Sequence, residues 1–304
     1  MNKMILATIA ILSMTAGSAT TVKPAADVFT GTSPCAEFVK PFLAIPLEQK
    51  CDRIIWQLSI RPSSKTFDLT REYGFYVDNR TYQSHGSASL KGTLTATKGR
   101  ASDPGATVFQ LVNEKSKRIA FAAVDENVLH LLDTDQRLAI GDAGASYTIN
   151  RLNGSQTAVD AFTNANQPFT ESDASAKSSF AGRSPCQEIA RELKRHVAGD
   201  CLKLKWSLQL YRDPQTFQPT TYLLRGTLYR NDSNGTERPR EGKWKVIRGT
   251  KADPNAVIYQ LDAFGADGPI YLLKGDRGVL FFLANNGYLL VGDKDFSYTL
   301  NRFE

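Results

Sequence analysis

The sequence predicts a mainly β protein: two small, antiparallel, lipocalin-like barrels in tandem, each with a short disulfide-clamped helical segment before its first strand. Three observations carry that prediction. First, SPCAEFVKPFLAIPLEQKC (33–51) is answered by SPCQEIARELKRHVAGDC (184–201). Second, the likeness runs on at a nearly constant offset: WQLSI (56–60) matches WSLQL (206–210), GTLTATKGRASDPGATVFQL (92–111) matches GKWKVIRGTKADPNAVIYQL (242–261), and IGDAGASYTINR (140–151) matches VGDKDFSYTLNR (291–302). Such self-similarity marks a duplicated unit. Third, the apolar period within each copy is two, as in LKLKWSLQLY from Leu202, which is the period of a strand with one wet face.

Taken in chain order, residues 1–19 carry a cation at Lys3, an apolar run from Met4 to Leu12 and small residues to Ala19. That order is expected of a cleavable secretory signal, and the run is too short to span a bilayer. Residues 20–32 read as a leader. The first copy follows at 33–151. Its opening segment is interrupted by Pro41 and Pro46, so it is expected to be irregular, whereas Ile189, Leu193 and Val197 of the second opening segment recur at helical spacing.

An exported chain meets oxidising conditions, and four cysteines allow three pairings. Cys35 with Cys51 and Cys186 with Cys201 is the simplest, with metal or redox use of the thiols as the other reading. Residues 152–182 are rich in Ser, Ala, Asn and Thr without a sustained apolar period, the composition of a tether. The second copy occupies 183–304, with strands expected at TYLLRGTLY, KWKVIRG, AVIYQLD, IYLLKG, GVLFFLA, GYLLVGD and FSYTLNR. Seven or eight short strands in a meander favour a closed barrel, because closure removes sticky edges.

The chain carries a formal charge of +6. Lys115, Lys117 and Arg118, and Arg238, Arg240, Lys243 and Lys245, are its densest basic spots, but they are interleaved with acids. A nucleic-acid partner is therefore not expected, nor is a transmembrane segment, since no later stretch is apolar for long enough.

Ser-Pro-Cys with a second Cys, Asp52-Arg53-Ile54 leading into an alternating strand, Tyr73, a glycine before the next strand (Gly92, Gly242), LHLLDTDQRLAI (129–140) and the closing SYTINR resemble the NlpE N-terminal family of bacterial envelope domains. The resemblance implies a lipocalin-like barrel, an envelope setting, and a link to copper tolerance or envelope stress signalling. The chain departs from the family pattern in two ways. Fifteen and fourteen residues separate its cysteines where the family has a close Cys-x-x-Cys, and no lipid-acceptor cysteine follows the apolar run, which implies a periplasmic or secreted protein.

Copper prefers thiolate, thioether and imidazole ligands. Met1, Met4 and Met14 all fall in the signal, and His85, His130 and His196 are not at metal-ligand spacing. Copper thus stays a candidate ion with no ligand set of its own, and no cofactor is expected. No nucleophile elbow, phosphate-cradling glycine loop or His-Glu-x-x-His is present. Asp133, Asp135, Asp142 and Asp293 fall near turns, where carboxylates cap backbone N–H groups.

The expected function is therefore non-enzymatic binding in the envelope or outside the cell. A carrier or adhesion module for a small apolar ligand or an envelope polymer is the alternative to NlpE-like stress or metal-tolerance work. Trp206, Trp244, Tyr259 and Phe282 are the candidates to line a ligand cavity, with core packing as their other fate.

Overall fold

A computed structural model describes residues 26–78, 81–100, 102–154, 162, 175–194, 199–230, 234–236, 239–250, 253–263, 267–276 and 278–303. The expected signal segment (1–19), His196, Arg238 and most of the stretch read as a tether lie outside the described residues.

Two closed eight-stranded antiparallel barrels stand in tandem. The first is built from β1 (Asp27–Pro34), β2 (Arg53–Arg61), β3 (Thr66–Tyr76), β4 (Tyr82–Arg100), β5 (Asp103–Asn113), β6 (Arg118–Ala123), β7 (Val128–Leu131) and β8 (Thr148–Arg151). Each strand pairs with the next, and β8 returns to β1 with Arg151 opposite Phe29.

The second comprises β9 (Lys177–Ser184), the helix α1 (Gln187–Glu192), β10 (Cys201–Arg212), β11 (Pro219–Arg230), β12 (Asn234–Thr236), β13 (Arg240–Arg248), β14 (Val257–Leu261), β15 (Ile270–Lys274), β16 (Val279–Leu283) and β17 (Thr299–Phe303). Its closure runs β9-β10-β11-β13-β14-β15-β16-β17 and back to β9, with β12 a short addition on β11.

The alternation read in the sequence is the alternation of burial. Ile54, Trp56, Leu58 and Ile60 fill the first barrel and Leu204, Trp206, Leu208 and Leu210 the second. Two features differ from the sequence reading. Each barrel has a strand ahead of its clamp: β1 begins inside the stretch read as leader, and β9 inside the stretch read as tether. GYLLVGD forms no strand beyond a single bridge between Leu283 and Leu289.

Both clamps are closed by disulfides, Cys35–Cys51 and Cys186–Cys201, with Cα atoms 5.7 and 6.2 Å apart, within the ordinary range. The first clamp is a run of turns whose Val39, Phe42, Leu43 and Ile45 enter the barrel core. The second is α1, which inserts Ile189 and is followed by the equally buried Leu193. Each ends on a residue with positive φ, Ala44 (53°) and Lys194 (54°).

The repeated Ser-Pro-Cys has a structural reason beyond its cysteine. Ser33 accepts the indole N–H of Trp56 at 2.8 Å, and Ser184 that of Trp206 at 2.8 Å. The serine thus satisfies a donor that the barrel interior would otherwise leave unpaired, a loss that costs about 1–3 kcal/mol.

A third apolar core lies between the barrels, where Val108, Ala120, Ala122 and Leu138 meet Ile247, Ile258, Phe281 and Leu289. Phe162, within the stretch read as a tether, joins it and stacks on Tyr271 at 4.2 Å. Several polar contacts across this face come in reciprocal pairs. Gly141 N–H donates to Asn301 Oδ1 (2.8 Å) and Gly292 N–H to Asn150 Oδ1 (3.0 Å). Asn150 Nδ2 donates to the Asp293 carbonyl and Asn301 Nδ2 to that of Asp142, each at 3.3 Å. Thr148 meets Thr299 at 2.9 Å, and His130 meets Phe281 edge to face at 5.5 Å. Gly141 and Gly292, Asp142 and Asp293, and Asn150 and Asn301 are equivalent positions of the two repeats, so each of these bonds has its counterpart, while Thr148 and His130 face their own equivalents, Thr299 and Phe281. The barrels are therefore related by a pseudo-twofold axis through Thr148–Thr299 and His130–Phe281, the self-complementary geometry of an isologous dimer.

Candidate functional site: the mouth of the first barrel

The end of the first barrel opposite its clamp opens into a cleft of about 1220 Å3 that continues along the junction with the second barrel. Its floor is the barrel interior: Phe29, Ile60, Phe109, Ala123 and Leu129. Period-two alternation places these side chains inward from β1, β2, β5, β6 and β7. The far wall comes from the second barrel, with Leu273, Lys274, Asp276 and Phe281.

The rim is charged. Arg151, at the end of β8, pairs with Asp27 at the start of β1, lies 5.1 Å over the Phe29 ring and donates to the Glu126 carbonyl at 2.8 Å. Across the junction Arg100 pairs with Asp276 (2.6 Å), which also accepts the Leu138 N–H at 2.6 Å. Burial works to raise the Asp276 pKa, but the Arg100 contact and the Leu138 N–H outweigh it and hold the carboxyl below its ordinary value.

Asp125, in the turn between β6 and β7, accepts N–H groups of Asn127 (2.7 Å) and Val128 (2.8 Å) at Oδ1. Burial nevertheless pushes its pKa up to about 6, as expected of a carboxylate removed from water.

The equivalent mouth of the second barrel is filled. Ser178, Phe180, Tyr259, Leu280 and Arg302 stand where the first has Asp27, Phe29, Phe109, Leu129 and Arg151, and they enclose only about 10 Å3, room for about one water. Trp244 replaces Leu94 there. Its ring packs against Tyr259 at 5.0 Å and its N–H reaches the Tyr211 carbonyl at 2.8 Å. Arg212 lies over the indole at 5.2 Å and donates to Ser178 Oγ at 2.9 Å.

Of the residues expected to line a cavity, Trp206, Trp244, Tyr259 and Phe282 are 4, 3, 2 and 1% exposed and belong to one packed core in the second barrel. None of them lines the large cleft, which opens from the mouth of the other copy and runs along the junction. The signal for this was present in the repeat alignment, in the pairs Leu94/Trp244 and Phe109/Tyr259, where the first copy has the smaller side chain.

All four cysteines are in disulfides. His130 is fully buried, with one ring nitrogen 2.8 Å from the Ala139 carbonyl and the other 2.9 Å from Thr148 Oγ1. Among the described residues no group of three or more His, Cys, Asp or Glu is placed to hold a metal, so they offer no donor set that fits copper. Asp133, Asp142 and Asp293 each accept two N–H groups of their own turns. Among the described residues, no helix is long and apolar enough to cross a membrane.

Fold and site together define a tandem pair of clamped eight-stranded barrels with one mouth open and its twin plugged. Comparison of the chain with protein-family models, curated proteins and solved structures finds no match.

Proposed function

We propose that this is an exported, non-enzymatic binding protein whose ligand seat is the open mouth of the first barrel. The observation that carries the reading is the asymmetry of the two mouths: the first opens into a cleft of about 1220 Å3 that it shares with the junction between the barrels, whereas the equivalent residues of the second enclose only about 10 Å3. A cleft with an apolar floor and a few charged groups at its rim suits a small ligand with an apolar body. The resemblance of the sequence to NlpE-type envelope domains and the expected secretory signal at residues 1–19 support an extracytoplasmic setting.

The test transfers the plug. Leu94→Trp with Phe109→Tyr writes the second barrel's residues into the first. Wild-type protein titrated with the fluorescent probe 1-N-phenylnaphthylamine is expected to bind one probe per chain, and the double variant to lose that binding while its thermal unfolding stays cooperative. Probe binding that survives the plug, or that saturates at two per chain, overturns the assignment.

A further inference from the structure

We propose that the molecule seated in this cleft is a cationic amphiphile, its apolar body in the barrel mouth and its amine or quaternary ammonium head at the rim. The inference rests on the ligand seat assigned above and adds the chemical class of its occupant. The cleft is lined by six carboxylates, Asp27, Asp103, Asp125, Glu126, Asp253 and Asp276, against three cations, Arg100, Arg151 and Lys274, an excess of three negative charges at full ionisation. That excess runs against the sign of the chain, which is +6 overall. Local charge opposed to the global charge focuses ligands of the opposite sign.

Two of the carboxylates are neutralised within the wall, Asp27 by Arg151 and Asp276 by Arg100. Among the described residues, three others accept their hydrogen bonds from turn N–H groups at Oδ1. Asp103 accepts from Gly105 and Ala106, Asp125 from Asn127 and Val128, and Asp253 from Asn255. Among the described residues no hydrogen bond reaches their second oxygens, which leaves those atoms to a ligand cation. The aromatic lining points the same way: Phe29 already carries a guanidinium on its face, and Phe109, Phe281 and Tyr288 add further rings. Acid plus aromatic faces is the chemistry that recognises ammonium groups.

The experiment compares decyltrimethylammonium, decyl sulfate and decyl maltoside, one chain length with three heads, by isothermal titration of the full mature protein below micelle formation. At pH 7.5 and low salt the ammonium compound is expected to bind about tenfold tighter than the sulfate. Its advantage should shrink at higher salt. It should also shrink towards pH 5 as Asp125 takes up a proton, with Glu126, Asp27 and Arg151 as the charged groups around it. Asp103→Asn with Asp125→Asn keeps the Oδ1 acceptors of both turns and should cut the ammonium-to-maltoside ratio several-fold, with folding checked by thermal melt.

Sulfate binding as tightly as the ammonium compound overturns the head-group class while leaving the seat. Failure of all three to bind, or equal binding to Leu94→Trp with Phe109→Tyr, overturns the seat itself.

Discussion

Gly92 and Gly242 occupy the same place in the two repeats, yet a methyl group would meet different neighbours. At Gly92 it would overlap the Val112 carbonyl as well as the Phe67 ring. At Gly242 it would press only on the Tyr222 ring, at 2.9 Å. Backbone cannot yield as a side chain can, so Gly92→Ala should cost about 3 kcal/mol and Gly242→Ala about 1 kcal/mol, read from denaturant midpoints at unchanged slope. Asp125 supplies a second prediction at this scale. Its folded pKa, about 6, lies above the ordinary carboxylate value, so folding takes up a proton. The resulting stabilisation is complete below the unfolded pKa near 4 and is lost as pH rises through 6, a change of up to about 3 kcal/mol. The stability of wild type relative to Asp125→Asn should therefore fall from pH 4 to pH 7.5; a flat difference would contradict the desolvation of this half-buried carboxyl. Neither effect is visible from residue type alone, because both depend on what the fold brings against the residue.

The clamps differ as elements although each is closed by one disulfide. The first is also held by Arg71, which donates to the Leu43 carbonyl at 3.0 Å, by Asn113, which donates to that of Phe42 at 2.8 Å, and by Lys40, which reaches the carbonyls of Leu47 and Gln49. The second relies on α1 packing, on Glu188 N–H donating to the Tyr298 hydroxyl at 3.2 Å, and on Asn285 contacts to Glu192. Reduction of both disulfides should accordingly leave residues 36–45 protected from hydrogen exchange while 187–193 exchange faster, a contrast that mass spectrometry of peptic peptides resolves. Equal deprotection would show that the disulfide, and not the carbonyl anchors, holds the first clamp. Most strands were legible from their alternation. β1 and β9 were not, because their buried positions are carried by Phe29, Gly31 and Ser33, and by Phe180, Gly182 and Ser184, and Gly and Ser do not register as an apolar period. GYLLVGD misled for the opposite reason: its apolar residues are buried against the barrel ends and the neighbouring copy rather than within a ladder.

At the scale of the molecule, the two barrels behave as a dimer written into one chain. Asn150→Ala with Asn301→Ala removes four reciprocal hydrogen bonds and leaves the N–H groups of Gly141 and Gly292 without protein acceptors. Each unmet group costs about 1–3 kcal/mol, so the single calorimetric transition expected of wild type should split in two. Acid should act on the same face. Burial depresses His130 to a pKa of about 4, so its contribution is present above the unfolded value near 6.5 and is lost as pH falls through 4, about 3 kcal/mol in all. The duplication was plain in the sequence, but the face joining the copies was not. Its apolar residues sit on the outer side of strands, and only pairing in space shows that Thr148 meets its own counterpart.

The pseudo-twofold axis has a consequence for how the protein withstands its surroundings. Two separate subunits joined through such a face would come apart as they were diluted. Joined in one polypeptide, they see each other at an effective concentration in the millimolar range, whatever the number of molecules per volume outside. A cleft whose far wall belongs to the neighbouring barrel therefore stays complete even in a single isolated molecule.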